Sequence, residues 1–125
     1  MKTYTLGDLK KLSPREIDAL VNKSVYGYDK TPPNFGGYWY FTKDGAVEPI
    51  PHYSTDANEA FKILDHLKSK GLSWNLCNGY KGIECQITEI GETIIDSIEI
   101  VIEDECKELA ICYAAILASQ ESQDE

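Results

Sequence analysis

Three groups of residues in this chain have types and spacings that suggest chemistry. The run Tyr38-Trp39-Tyr40-Phe41 presents flat apolar faces with polar handles, which suit stacking on a nucleobase or filling a partner's pocket. Lys23, Lys30 and Lys43 bracket that run and can neutralise a phosphate. The second group, His52-Tyr53-Ser54-Thr55-Asp56, invites a His/Ser/Asp reading, but a triad is defined by geometry that adjacency does not supply. Ser, Thr and Asp are what a helix start needs, and its free N–H groups also favour a ligand phosphate or carboxylate. The third group is Cys77, Cys85, Cys106 and Cys112. No C-x-x-C occurs and the spacings match no zinc or iron–sulfur pattern, so reduced thiols packed as small apolar side chains are expected.

No Gly-rich phosphate loop, H-E-x-x-H, G-x-S-x-G or paired-carboxylate motif is present. The expectation is therefore a non-enzyme with no catalytic residue, metal or cofactor. The expected ligand contacts are Tyr38, Trp39, Tyr40, Lys43, Tyr53, Ser54, Thr55 and Trp74. His66 is expected as a half-exposed surface residue.

The elements that must position these residues are legible in part. Ser13-Pro14-Arg15-Glu16 is a capping box with proline at the first helical position, and Ile17, Leu20, Val21 and Val25 carry the stripe to Val25. Leu6, Leu9 and Leu12 suggest a short preceding turn. Residues 26–53 are rich in Pro and Gly and hold 8 of the 13 aromatics; they predict a long loop with one edge hairpin around Asp44-Gly45. A second helix is predicted from Asp56, with Glu59 closing a box and Ala60, Phe61, Ile63, Leu64 and Leu67 as its buried stripe. Strands follow at 73–80, 82–90 and 94–103, the last with Ile98, Ile100 and Ile102 on one face and Glu99 and Glu103 on the other. A final helix over about 104–119 precedes a polar tail, 120–125, expected to fray. The fold class predicted is α+β, an antiparallel β-sheet sandwiched between helices in the order α-loop-α-β-β-β-α, with residues 1–119 as one domain.

The 125 residues suit one domain, and 42% apolar with 26% charged residues describes a soluble globular chain. No apolar run reaches membrane-spanning length and Met1-Lys2-Thr3-Tyr4-Thr5 opens no signal peptide, so a cytoplasmic protein is expected. Charge is uneven. Residues 1–83 carry a net +2 and residues 84–125 a net −11, giving −9 overall. Such a chain repels phosphate backbones, which argues against direct nucleic-acid binding.

Leu12-Ser13-Pro14-Arg15-Glu16-Ile17-Asp18-Ala19-Leu20-Val21 with Val25-Tyr26-Gly27 resembles the opening of small phage and prophage proteins of the phage ABA sandwich domain family. Pro51-His52-Tyr53-Ser54-Thr55-Asp56 with Ala60 resembles that family's P-x-Y-S-T-D signature. Leu109-Ala110-Ile111-Cys112-Tyr113-Ala114-Ala115-Ile116-Leu117-Ala118 resembles its closing helix. The resemblance implies a sheet sandwiched between helices and a phage or prophage gene acting in the host bacterial cytoplasm; it transfers no activity. Cys106-Lys107-Glu108 departs from the Ala-Pro that often opens that last helix.

These readings lead to a non-enzymatic phage or prophage accessory protein that binds a ligand or host factor. Its sharpest form is an anti-defence protein that sequesters a nucleotide immune signal. The alternative is an acidic decoy, in which Glu84, Glu89, Glu92, Asp96, Glu99, Glu103 and Glu105 engage a basic host protein. A homo-oligomer is also expected, most simply a two-fold dimer with Trp39 or Tyr40 in the contact, because an extended aromatic run and a last helix apolar on nearly every side leave surface to cover.

Overall fold

Thr5 and Ser13 each open a helix in the computed structural model, which describes residues 3–28, 38–80, 82–89, 98–104 and 106–123. In α1 (Leu6–Lys10) the Thr5 hydroxyl accepts from the Asp8 amide at 3.2 Å and the Asp8 carboxylate accepts from the Thr5 amide at 3.0 Å. In α2 (Pro14–Ser24) Ser13 and Glu16 make the same reciprocal pair, with Pro14 where its missing N–H costs nothing. The Ser13 start follows the sequence reading, and the expected preceding turn is α1, whose Thr5 cap was not foreseen.

The aromatic segment contains a short hairpin. Strand β1 (Trp39–Phe41) pairs antiparallel with β2 (Val47–Pro49), Tyr40 opposite Glu48. Gly45 turns the chain between them at φ +86°, a conformation only glycine adopts without strain. The Ile50 amide donating to the Tyr38 carbonyl at 2.8 Å closes the hairpin base. The Lys30 and 29–37 portion of the predicted loop lies outside the described residues.

Asp56 caps α3 (Ala57–Ser69) by accepting from the Asn58 amide at 2.9 Å. The expected reciprocal bond from Glu59 is replaced by a pair with Lys62 at 3.1 Å. Strands β3 (Ser73–Asn78), β4 (Ile83–Glu89) and β5 (Ile98–Asp104) form an antiparallel sheet in the order β3-β4-β5. Trp74 stands opposite Ile87, and Ile87 opposite Ile100. Residue 81 and the predicted turn and strand start at 90–97 lie outside the described residues.

The last helix, α4 (Lys107–Gln123), is the filling of the sandwich. It packs on β4 and β5 on one side and on α2 and α3 on the other. Ala110, Ile111, Cys112, Tyr113, Ala114, Ala115, Ile116 and Ala118 are all buried. A helix apolar all round belongs inside a protein, and this one spends its apolar surface within a single chain. The helix continues through Gln123. The Gln120 side-chain amide donates to the Tyr4 carbonyl at 2.9 Å, and its oxygen accepts from the Tyr4 amide at 2.7 Å. Residues 124–125 lie outside the described residues.

Alanines at 110, 114, 115 and 118 let α4 sit close to both neighbouring layers. Ala114→Leu inserts three carbons where Ala114 is fully buried, and should lower unfolding stability by about 1–3 kcal/mol. Urea denaturation reads this as a lower midpoint at unchanged slope; an unchanged midpoint contradicts the packing.

Candidate binding site

Asp18 lies on the apolar face of α2 and is 0% exposed. A carboxylate withdrawn from water is costly unless hydrogen-bonded and paired. One oxygen accepts from the Ser54 backbone amide at 2.7 Å, and the other takes an ion pair from Arg15 at 2.8 Å. The Arg15 guanidinium also donates to the carbonyls of Ile50 (3.0 Å) and Pro51 (3.4 Å), and it lies 5.1 Å from the centre of the Tyr38 ring. Two residues of α2 thus fasten the chain from the hairpin base to the start of α3.

The same arrangement decides the His/Ser/Asp group. Ser54 is buried and its hydroxyl donates to the Pro14 carbonyl at 3.0 Å. Tyr53 is buried, donates to Asn22 Oδ1 at 3.0 Å and stacks on Tyr26 at 5.4 Å. Burial pushes the Tyr53 and Tyr26 phenols well above their ordinary range, so both keep their protons. Tyr53 and Ser54 were expected to touch a ligand; their polar atoms are instead engaged inside the protein. Asp56 is the α3 cap, and no triad forms with His52, which stays exposed. Thr55 is the exposed member of Tyr53-Ser54-Thr55.

Nearby, Tyr26 also lies 4.4 Å from the His66 ring, and Tyr28 lies 4.8 Å from Tyr40. His66 is half-buried, donates from Nε2 to the Val25 carbonyl at 3.1 Å, and is pushed below its ordinary range by burial. Among the described residues Asn22 Nδ2 is buried without a hydrogen-bond partner.

Of the four consecutive aromatics, Trp39, Tyr40 and Phe41 are half-buried and Tyr38 alone is exposed. Tyr40 packs against the core. The side-by-side exposed Trp and Tyr that suggested a dimer contact at Trp39 or Tyr40 are not there. Tyr38 lines an open groove of about 280 Å³ with Tyr4, Leu12, Glu16, Ala19, Leu20 and Lys23. Its floor is apolar and comes from the solvent side of α2. Glu16 and Lys23 are seven residues apart on that helix, about 10 Å at its rise per residue. The Glu16 carboxyl is held below the usual carboxylate range by hydrogen bonds from the Ser13 backbone and hydroxyl. The groove thus has an anion at one end, a cation at the other and an aromatic ring at its wall. Lys43, in the hairpin turn, and Trp74, on β3, are not among its lining residues.

Two of the four thiols, Cys85 and Cys112, are the expected core packing groups, whereas Cys77 is not packed. Burial pushes Cys85 up to about 12 and Cys112 well above its ordinary value. Cys77 is exposed and Cys106 half-buried. Among the described residues no cluster of His, Cys, Asp or Glu could hold a metal ion, and no helix is long and apolar enough to cross a membrane.

The model of the phage ABA sandwich domain family matches residues 19–116. The chain belongs to that family. It is also similar to the crystal structure of a phage protein from Bacillus cereus ATCC 14579, at 16% identity over 97% of this chain and 94% of that one, with a TM-score of 0.64. At that identity the likeness is one of fold. No curated protein matches the chain. Two of the motifs that carried the family resemblance have structural duties in this ABA sandwich domain. Tyr53-Ser54-Thr55-Asp56 locks α2 to α3, and Ala110-Ile111-Cys112 lies in the buried middle layer.

Sequence reasoning placed Asp18 within the helix but missed its role. The signal was a charged residue and an amide, Asp18 and Asn22, flanking the stripe of Ile17, Val21 and Val25. Asp18→Ala strands the Arg15 charge and the Ser54 amide, and should cost about 3 kcal/mol. Asp18→Asn, which keeps an acceptor for Ser54, should cost less. Equal stability of Asp18→Ala and wild type in a denaturant titration would contradict the clasp.

Proposed function

We propose that this phage protein is a non-enzymatic binder that captures a small planar anion, a nucleotide, in the groove along α2. The observation that carries the reading is Tyr38. It is a large aromatic left 40% exposed beside an apolar floor, and Arg15 fixes it from within the protein. A base stacks on that ring, its amino donors reach toward Glu16, and its phosphate meets Lys23. The Arg15 charge is already taken by Asp18, so Lys23 supplies the groove's available positive charge. Stoichiometric capture of a nucleotide immune signal in a host bacterium is the biological role this binding would serve.

A second reading draws on the sheet. The β4–β5 register sets Glu84 directly opposite Glu103, a like-charge pairing that destabilises a sheet unless a cationic surface meets it. An acidic decoy for a basic host protein would use these positions with Glu99. Glu89 falls at the opposite parity on β4 from Glu84, and Glu92, Asp96 and Glu105 lie outside the described residues.

Thermal-shift and calorimetric titrations with mononucleotides and cyclic nucleotides separate the two. A ligand at 100 times its dissociation constant should add about 2.7 kcal/mol of stability. Tyr38→Ala and Lys23→Glu should each abolish that gain. No shift with any nucleotide contradicts capture. Salt-sensitive retention of a basic protein, lost in Glu84→Gln, would favour the decoy.

A further inference from the structure

The sheet ends on β3 at one edge and β5 at the other. Among the described residues no backbone group pairs with the outer side of β3. Natural edge strands are blunted by charge, proline, bulges or a covering element. The six residues Ser73-Trp74-Asn75-Leu76-Cys77-Asn78 use none of the first three. They include no Lys, Arg, Asp, Glu or Pro, and their register with β4 is unbroken over all six pairs. Every residue of β3 except Leu76 is exposed. The β5 sequence, by contrast, contains Glu99, Glu103 and Asp104.

Trp74 shows what this edge lacks. It is opposite Ile87 and so shares the inner face of the sheet, where Ile87 is 0% exposed under the helices. Yet Trp74 remains 40% exposed. The apolar inner face runs past the helices that cover it and stops at an edge with no partner among the described residues.

We propose that β3 is a self-pairing edge: two copies of this chain join antiparallel about a two-fold axis at β3, continuing the sheet to six strands and covering Trp74. An antiparallel edge is its own complement, since a two-fold rotation brings donors onto acceptors. Charge selects a second copy at this place. Two chains of net −9 repel, so they meet where charge is lowest; residues 71–80 include no charged side chain, whereas the other edge is acidic. The pairing is independent of any ligand in the α2 groove.

Light scattering on the full chain, from micromolar to near-millimolar concentration, should give twice the 14.0 kDa chain mass at the upper end. Asn75→Lys places two like charges across the new pair and should halve that mass with its circular dichroism unchanged. Tyr38→Ala should leave the dimer intact. In the wild-type protein, β3 amides should lose hydrogen-exchange protection on dilution while β4 amides keep theirs, a readout that needs no variant. A monomer at every concentration overturns the proposal, as does a folded Asn75→Lys variant that stays dimeric. Concentration-independent exchange at β3 overturns it too.

Discussion

The carboxylate of Asp18 sits where water does not reach, and a charge in that position must be answered by the protein itself. Arg15 answers one oxygen and the Ser54 amide the other. Because Arg15 reaches onward to the carbonyls of Ile50 and Pro51, satisfying one buried charge fixes the hairpin base and the entry to α3 against α2. Asp56 then starts α3 in a set place, so α2 and α3 present one apolar layer to α4. Replacing the charge by an apolar residue would relieve desolvation but release the Ser54 amide and leave the Arg15 guanidinium without its anion.

The clasp also divides α2 into two working faces. Ile17, Asp18, Val21 and Asn22 look inward, and their partners are core side chains and the 50–54 segment. Glu16, Ala19, Leu20 and Lys23 look outward and line the groove with Tyr38 and with Leu12, which precedes the helix. Tyr38 belongs to both arrangements. Its ring is held by Arg15 on one side and remains exposed on the other. A rigid support beneath an exposed aromatic lowers the ordering cost of binding.

Local chemistry was legible in the sequence and distant partnership was not. The boxes at Ser13 and the cap at Asp56 depend on atoms within three residues, and both follow from the sequence alone. The Asp44-Gly45 turn and the alternating strands are equally local. Ser54 reads as a helix start, but it serves Asp18 and Pro14, 36 and 40 residues away. Gln120 reads as part of a polar tail because its partner, Tyr4, lies 116 residues earlier. The α4 stripe shows the same limit. Apolar surface on every side signals burial, but only the layers above and below say that one chain supplies it.

The Ser54 amide proton measures the clasp directly, because its acceptor is the buried carboxylate itself. In native-state hydrogen exchange it should open only with global unfolding, with the same free energy and denaturant dependence as the most protected amides of α4. Exchange of that proton by a small local opening, insensitive to denaturant while α4 stays protected, would contradict the account.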